Sequence, residues 1–274
     1  MATVPSEVDT IAATRTPATV RSLTRDICSL GVRAGDALIV HSSLSALGWV
    51  AGGAQAVVQS LLDAVGPEGT LVMPTQSGQL SDPAAWSNPP VPSVWVDQLR
   101  DELPAFDPYL TPTTGMGQIV ECFRQHRSTI RSSHPTDSFA ACGQQAAAIV
   151  GSQPLVPSMG DDSPLGRLYD LDARVLLLGV NHRNNTSLHL AEHRAIWPSK
   201  APCRLGAPIA INGRRTWVTY NDLALDESDF AIIGEAFAAT GREHTGTVGT
   251  GTGRLSSQRA LVDFAVRWMT GHRR

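Results

Sequence analysis

The sequence is poor in cysteine. Its four cysteines are far apart in the chain and none belongs to a C-x-x-C pair; they are Cys28, Cys122, Cys142 and Cys203. A disulfide framework and a zinc–thiolate site both need cysteines in pairs or at short, regular spacing. The spacing therefore argues against both kinds of cross-link.

Charge and long apolar stretches are also scarce. Only 17% of the residues are charged, the net charge is -3, and 42% of the residues are hydrophobic. This balance is typical of a globular chain and gives no reason to expect nucleic acid as a partner. No apolar run approaches the roughly 20 residues that span a bilayer. The first residues lack the apolar core of a signal peptide and contain Glu7 and Asp9. We therefore expect a cytoplasmic protein without a membrane partner.

The sequence does contain a strand, a polar loop and a helix start in direct succession, VLLLGVNHRNNTSLHLAE at residues 175–192. The apolar run predicts a strand that is buried on both faces, and residues 184–187 can accept the free N–H groups of a helix start. Pockets in open α/β sheets lie beyond the carboxyl ends of strands, so His189 would face such a pocket. Glu192 lies on the same helical face and can orient the imidazole. The segment predicts a general base, although a lone histidine is more often a packed or surface side chain.

A metal site is an alternative for the same helix. His189 to His193 reads H-L-A-E-H, which matches the H-x-x-E-H signature of zinc proteases. A third zinc ligand would have to come from downstream, where Glu235, Glu243 and His244 form no recognisable spacing. The zinc hydrolase therefore stays open as a second hypothesis.

A second strand, loop and helix precede this segment. The run Asp36–His41 predicts a buried strand, and Ser42 and Ser43 follow it before a helix and a further strand at Thr70–Pro74. Exposed N–H groups in such a loop can hold phosphate or amide oxygens, although serine also serves as an ordinary turn residue. Two strands with an intervening helix predict a parallel unit. The fold class is therefore α/β, with a largely parallel central sheet flanked by helices.

Two further regions depart from this alternation. The proline-rich residues 75–112 predict a long ordered loop that lines a substrate, and residues 203–229 predict an antiparallel hairpin around Asn212-Gly213 followed by an acidic segment. The glycine-rich residues 246–253 predict turns around a short strand. We expect a flexible arm at residues 1–16 and a single domain at residues 17–274.

Several segments together resemble the aminoglycoside 3-N-acetyltransferases, a family separate in fold from the GNAT acetyltransferases. They occur in the family's order and read VHSSLSALGWVAGGAQAVVQSLLDAVGPEGTLVMPT, RSSHPTDSFAACG, SPLGRL and RVLLLGVNHRNNTSLHLAE. The resemblance implies an acetyl-CoA-dependent transfer to the 3-amine of 2-deoxystreptamine antibiotics, and with it antibiotic resistance.

The resemblance also implies roles for individual residues. His189 stands at the catalytic position of the motif T-x-L-H-x-A-E, and Glu192 is its nearby carboxylate. The implied contacts of acetyl-CoA are His41, Ser42, Ser43, Thr75, Ser77, Arg131 and His134. The carboxylates implied for the antibiotic are Asp82 and Asp222, and no metal is implied, since His193 stands outside the motif.

The implied chemistry agrees with the residues. An ammonium nitrogen cannot attack a thioester until it loses a proton, which neutral His189 can take while Glu192 fixes its tautomer. No cysteine stands beside His189 in the motif to act as a nucleophile, so direct transfer in a ternary complex is the simplest route. We expect small-molecule partners only, and both a monomer and a homodimer stay open. A non-catalytic protein that binds polyamine antibiotics is the third hypothesis.

Overall fold

The structure is a computed structural model that describes residues 7–274. Its strands are β1 (Ala37–Ser42), β2 (Thr70–Pro74), β3 (Ile130–Arg131), β4 (Phe139–Gly143), β5 (Arg174–Leu178), β6 (Pro202–Ile211), β7 (Arg214–Leu223), β8 (His244–Val248) and β9 (Gly251–Ser257). Its helices are α1 (Glu7–Ala13), α2 (Val20–Leu30), α3 (Gly53–Val65), α4 (Val96–Glu102), α5 (Gln118–Arg124), α6 (Ala146–Val150), α7 (Pro164–Asp170), α8 (Ser187–Arg194), α9 (Phe230–Ala238) and α10 (Gln258–His272). None of the helices within these described residues is long and apolar enough to cross a membrane.

A seven-stranded sheet organises the fold, in the order β3-β4-β2-β1-β5-β9-β8. Strand β1 pairs in parallel with β2 and β5, whereas β4 and β9 join the flanks antiparallel. Strands β6 and β7 form a separate hairpin whose turn is Asn212-Gly213, both residues with positive φ. The predicted α/β class and the hairpin are confirmed, and the parallel pairing is confined to the three central strands.

Both faces of β5 are buried, as the apolar run predicted. Leu176 and Leu178 pack on the side of α2, α3 and α5, and Val175 and Leu177 pack on the side of α7 to α10. Because successive side chains of a strand point to opposite faces, one apolar run supplies both core layers. The strand is therefore held rigidly at the point where the polar loop begins.

The glycine-rich segment forms more strand than predicted. Residues 251–257 make β9, which lies beside β5 and pairs with β8 on its other side. A Cβ at Gly253 would lie 2.8 Å from Val248 Cγ2 and 2.9 Å from Leu30 Cδ2. Close packing against α2 therefore requires glycine at this position. Because glycine has no side chain, the strand lacks the alternation of apolar and polar residues from which it could have been predicted.

The predicted arm and the predicted long loop both need correction. Residues 1–6 lie outside the described residues, but Glu7–Ala13 form α1, and the backbone N–H of Trp49 donates to Thr14 Oγ1 at 3.1 Å. The loop at 75–112 contains α4, because Val96 to Glu102 have helix-forming composition that the surrounding prolines concealed. The hairpin holds this loop: Arg215 Nε donates to the carbonyl oxygen of Leu103 at 2.8 Å.

Truncation of the central strand tests this packing. We expect Leu177→Ala to lower the free energy of unfolding by about 2–5 kcal/mol, because it opens a cavity in a rigid core. The matched control is Leu110→Ala, since Leu110 is 81% exposed whereas Leu177 is 1% exposed. Chemical denaturation of both variants measures the difference, and equal losses of stability would contradict the placement of β5 at the centre.

Candidate active site

The polar loop after β5 presents the candidate catalytic helix. Gly179 turns the chain with φ of 67°, and a Cβ there would lie 2.4 Å from Ala46 Cβ. Of the four predicted capping residues, Thr186 is the N-cap and makes no capping hydrogen bond through its side chain, whereas Oδ1 of the preceding Asn185 accepts from the backbone N–H of Ser187 at 3.1 Å. The imidazole of His189 then lies in the first turn of α8, as predicted.

A buried carboxylate holds this imidazole. His189 Nδ1 lies 2.5 Å from Glu192 Oε2, and the side chain of Glu192 is fully buried. The second oxygen, Oε1, accepts from Arg273 Nη1 at 2.6 Å and from the backbone N–H of Asp226 at 2.9 Å. The carboxylate therefore has a cation on one side and the imidazole on the other. His189 also packs on Phe230, with 4.9 Å between the ring centroids.

His189 also lines a cavity. Within the described chain, no group hydrogen-bonds to His189 Nε2, and His189 lines a cavity of about 270 Å³ together with Val40, His41, Ser42, Pro74, Gln76, Gly115, Met116, Val120, Val180, Arg183, Asn184, Asn185, Thr186, Glu227 and Phe230. Ser42, Met116 and Asn184 also line a second cavity of about 810 Å³, which extends over Ser43 to the start of α3. The two cavities therefore lie side by side and share part of their walls.

His41 lies in the wall of the first cavity. It is 6% exposed, and its buried Nε2 has no hydrogen-bond partner among residues 7–274. Burial, together with the smaller effects of the nearby His182 and His189, lowers the pKa of His41 to about 3. His41 is therefore a neutral side chain at physiological pH.

Other residues predicted to hold acetyl-CoA are hydrogen-bonded to one another. Arg131 Nη2 donates to the carbonyl oxygen of Thr75 at 2.6 Å and to Ser77 Oγ at 3.2 Å, while Nη1 donates to the carbonyl oxygen of Thr111 at 2.5 Å. Thr75 and Ser77 are fully buried, and burial lowers the pKa of Arg131 to about 10. This cluster ties the long loop to the end of β2 and to β3, and its members do not line the cavity beside His189.

His134 is likewise engaged within the chain. Its Nδ1 accepts from the backbone N–H of Asp137 at 2.9 Å, and its Nε2 lies 3.2 Å from the carbonyl oxygen of Leu155. The imidazole therefore fixes the turn before β4 as a neutral side chain with the proton on Nε2.

The two predicted antibiotic carboxylates have protein partners and lie outside the wall of the His189 cavity. Both oxygens of Asp82 accept from Arg100 at 3.0 Å. Asp222 is 6% exposed, and its Oδ2 accepts from the backbone N–H of Ser158 at 2.8 Å. The carboxylate in the cavity wall is Glu227, which is exposed in the segment after the hairpin. The sequence marked that segment as acidic but did not single out Glu227.

The arrangement does not favour a zinc hydrolase. Glu192 is occupied by His189 and Arg273, and Glu243 by His182 and Arg254. Across residues 7–274, no three histidine, cysteine, aspartate or glutamate side chains are grouped so that they could hold a metal ion.

Comparison with known proteins decides the family. The family model described as aminoglycoside 3-N-acetyltransferase matches residues 39–270. The chain belongs to the aminoglycoside 3-N-acetyltransferase family. The predicted family and the predicted enzyme class, an acyltransferase that uses acetyl-CoA, are confirmed.

Individual relatives agree with this assignment. The SPbeta prophage-derived aminoglycoside N(3')-acetyltransferase-like protein YokD of Bacillus subtilis (strain 168) is 46% identical over 259 residues, 94% of each chain. Its crystal structure matches the enzyme with a TM-score of 0.94 over 97% of this chain and 98% of that chain. Aminoglycoside N(3)-acetyltransferase VII of Streptomyces paromomycinus is 37% identical over 273 residues, 92% of each chain.

Two solved structures of relatives are named for a bound small molecule. "AAC-IIIb binary with CoASH" has a TM-score of 0.83 at 31% identity and covers 93% of this chain and 97% of that chain. "AAC-VIa bound to Sisomicin" has a TM-score of 0.83 at 30% identity and covers 93% of this chain and 98% of that chain.

The pKa of His41 predicts a pH dependence of stability. The folded-state pKa of about 3 lies below the ordinary value of 6.5, so the unfolded chain binds this proton first as the pH falls. The contribution of neutral His41 is complete above pH 6.5 and is lost between pH 6.5 and about 3.

The unfolding free energy of the wild type and of His41→Asn should therefore diverge on acidification. Below pH 6.5 the wild type should lose stability more steeply, by about 1.4 kcal/mol per pH unit. His244→Asn, at an exposed histidine of β8, is the matched control and should follow the wild type. Parallel curves for the wild type and His41→Asn would show that His41 is not a buried neutral group.

Proposed function

We propose that the enzyme transfers the acetyl group of acetyl-CoA directly to the 3-amine of 2-deoxystreptamine aminoglycosides, with His189 as general base. The observation that carries this proposal is the geometry of one side chain. His189 has Nδ1 fixed by a buried carboxylate, it lines the cavity, and its Nε2 has no hydrogen-bond partner among the described residues. A base held in this way is ready to receive a proton from a bound amine.

The proposed reaction runs in a ternary complex. His189 Nε2 takes a proton from the 3-amine as its nitrogen forms a bond to the thioester carbonyl carbon. The carbon–sulfur bond then breaks, and the imidazolium returns the proton to the leaving thiolate of CoA. Glu192 keeps the proton of Nδ1 in place and stabilises the imidazolium, as a carboxylate does for a catalytic histidine in hydrolases. An ammonium group releases one proton to solvent before this step, so the product carries a neutral amide in its place.

Acetyl-CoA is proposed to lie along the two adjacent cavities. His41 and Ser42 line the part beside His189, and Ser43 lines the part that leads to the start of α3. The backbone N–H groups at a helix start favour phosphate oxygens. Support also comes from the relative whose structure is named for bound CoASH.

The cluster of Thr75, Ser77 and Arg131, with His134 in the neighbouring turn, is proposed to affect acetyl-CoA indirectly, by fixing the cavity wall. Gln76 lines the cavity beside His189, and both of its chain neighbours belong to the cluster. Through the internal hydrogen bonds of the cluster, these residues fix where Gln76 lies. The cluster therefore sets the shape of the wall that the thioester meets.

Glu227 is the proposed contact for an ammonium group of the antibiotic. It is exposed, it lies in the wall of the cavity with His189, and its carboxylate has no ion-pair partner within the described residues. Asp82 and Asp222 are proposed to shape the antibiotic cleft through their bonds to Arg100 and Ser158. The relative named for bound sisomicin supports an aminoglycoside as the acceptor.

Removal of the base tests the mechanism. We expect His189→Asn to lower kcat for acetyl transfer by about 10²–10⁴, because proton removal by a positioned base contributes that much. Antibiotic binding should change little, since the charge of the cavity stays the same. The assay is release of the CoA thiol with an added aminoglycoside. His193→Asn, one turn further along α8 and outside the cavity wall, is the control and should keep near-normal turnover; a fully active His189→Asn variant would rule out His189 as the base.

Neutralisation of Glu227 tests the antibiotic contact. We expect Glu227→Gln to raise the KM for aminoglycosides at least about threefold and to leave the KM for acetyl-CoA unchanged, because only the antibiotic is a polycation. The difference should shrink as salt is added. Glu235→Gln makes the same chemical change at an exposed position of α9 outside the cavity wall and should change neither KM. An equal rise of both KM values in Glu227→Gln would place Glu227 outside the antibiotic site.

A further inference from the structure

A second histidine–carboxylate pair lies behind the wall of the cavity. His182 Nε2 is 2.6 Å from Glu243 Oε2, and Glu243 Oε1 accepts from Arg254 Nη1 at 2.9 Å. The side chains of His182 and Glu243 are 4% and 1% exposed. Burial raises the pKa of Glu243, but the hydrogen bonds from His182 and Arg254 outweigh it and hold that pKa below its usual value. The proposed reaction makes no use of this pair.

The neighbouring Asn185 determines which nitrogen of His182 carries the proton. Asn185 Oδ1 accepts from the backbone N–H of Ser187 at 3.1 Å, so the other end of the amide, Nδ2, faces His182 Nδ1 at 3.2 Å. An amide nitrogen can only donate, so Nδ1 must accept and cannot carry a proton. The proton of His182 is therefore on Nε2, where it is donated to Glu243.

The segment fixed in this way is part of the active site. Residues 183–186 all line the cavity beside His189, whereas His182 does not. The backbone N–H of Asn185 also donates to the carbonyl oxygen of His182 at 2.9 Å. His182 thus hydrogen-bonds to both the backbone and the side chain of Asn185. Asn185 accepts from the first residue of α8 and lies four positions before His189.

Helix α9 is shaped to accept this imidazole. A Cβ at Gly234 would lie 2.1 Å from His182 Cγ. Glycine inside a helix costs about 1 kcal/mol relative to alanine, so its presence here needs a reason, and the close approach of His182 supplies one. The imidazole is therefore confined by α9 on one side, by Glu243 on a second and by Asn185 on a third.

We propose that His182 is a positioning residue for the acetyl transfer: as the neutral Nε2–H tautomer it holds Asn185, and through Asn185 it sets the start of α8 and the location of His189. This inference rests on the proposed role of His189. Glu243 and Arg254 anchor the pair to the sheet, since Arg254 belongs to β9, which is paired to β5. A small displacement of a general base can cost about a hundredfold in rate.

Two substitutions separate the two bonds of His182. Asn reproduces the Nδ1 end of the ring and can still accept from Asn185, whereas Gln reproduces the Nε2 end and can still donate to Glu243. We expect His182→Gln to lower kcat at least about tenfold with the KM for acetyl-CoA within about twofold, and His182→Asn to stay within about threefold of the wild type in both. His244→Gln, at an exposed histidine beside Glu243, is the control. A fully active His182→Gln variant, or an equal loss in both His182 variants, would overturn the proposal.

A measurement on the unmodified protein tests the tautomer itself. Nitrogen-15 NMR of the histidine rings at neutral pH should show His182 with a protonated Nε2 and an unprotonated Nδ1 that accepts a hydrogen bond. Asn185→Ala should change the Nδ1 signal, which loses its donor, and leave Nε2 protonated, because Glu243 still accepts from it. A protonated Nδ1 in the wild type would overturn the proposal. Because this readout needs no substrate, it stays informative if the chain proves inactive on every aminoglycoside, a result that would contradict the proposed function alone.

Discussion

The carboxylate of Glu192 is the group on which the active site depends. It is fully buried on α8, and its two oxygens bind different partners: one meets His189 at 2.5 Å, the other meets Arg273 at 2.6 Å. A buried carboxylate without partners is strongly unfavourable, and removal of one member of a buried pair costs several kcal/mol. Burial and pairing together leave the imidazole with a single orientation. The free edge of the ring can then be used for chemistry.

The architecture explains why this group lies where substrates can reach it. Strands β1, β2 and β5 run in parallel, so their carboxyl ends meet at one edge of the sheet. His41 lies near the carboxyl end of β1, Gln76 follows β2, and the loop after β5 leads to His189. The antiparallel strands at the flanks contribute differently: β9 holds Arg254, and the β6–β7 hairpin holds the long loop. The central strands therefore supply the reacting surface, and the outer strands fix its walls.

Features that depend on residues close together in the chain could be predicted from the sequence. The strand at 174–178, the helix start and the pair of His189 and Glu192 are local features, and periodicity and spacing reveal them. Arg273 and Glu243 were not predicted as partners of the site because both come from distant parts of the sequence. Arg273 binds Glu192 from 81 positions away, and Glu243 binds His182 from 61 positions away. Helix α4 was concealed by prolines, and β9 by the glycines that its packing requires. Arg131 shows a different limit: sequence alone does not distinguish an arginine that binds a ligand from one whose donors are used inside the protein.

The central claim is that His189 Nε2 receives the proton of the antibiotic's 3-amine. A crystal structure of the enzyme with CoA and a 2-deoxystreptamine aminoglycoside bound together tests it most directly. The account predicts the 3-amine within about 3 Å of His189 Nε2, with the sulfur of CoA close enough to the amine for one acetyl carbon to bond to either atom. A 3-amine bound away from His189, or hydrogen-bonded to a different base, would contradict it.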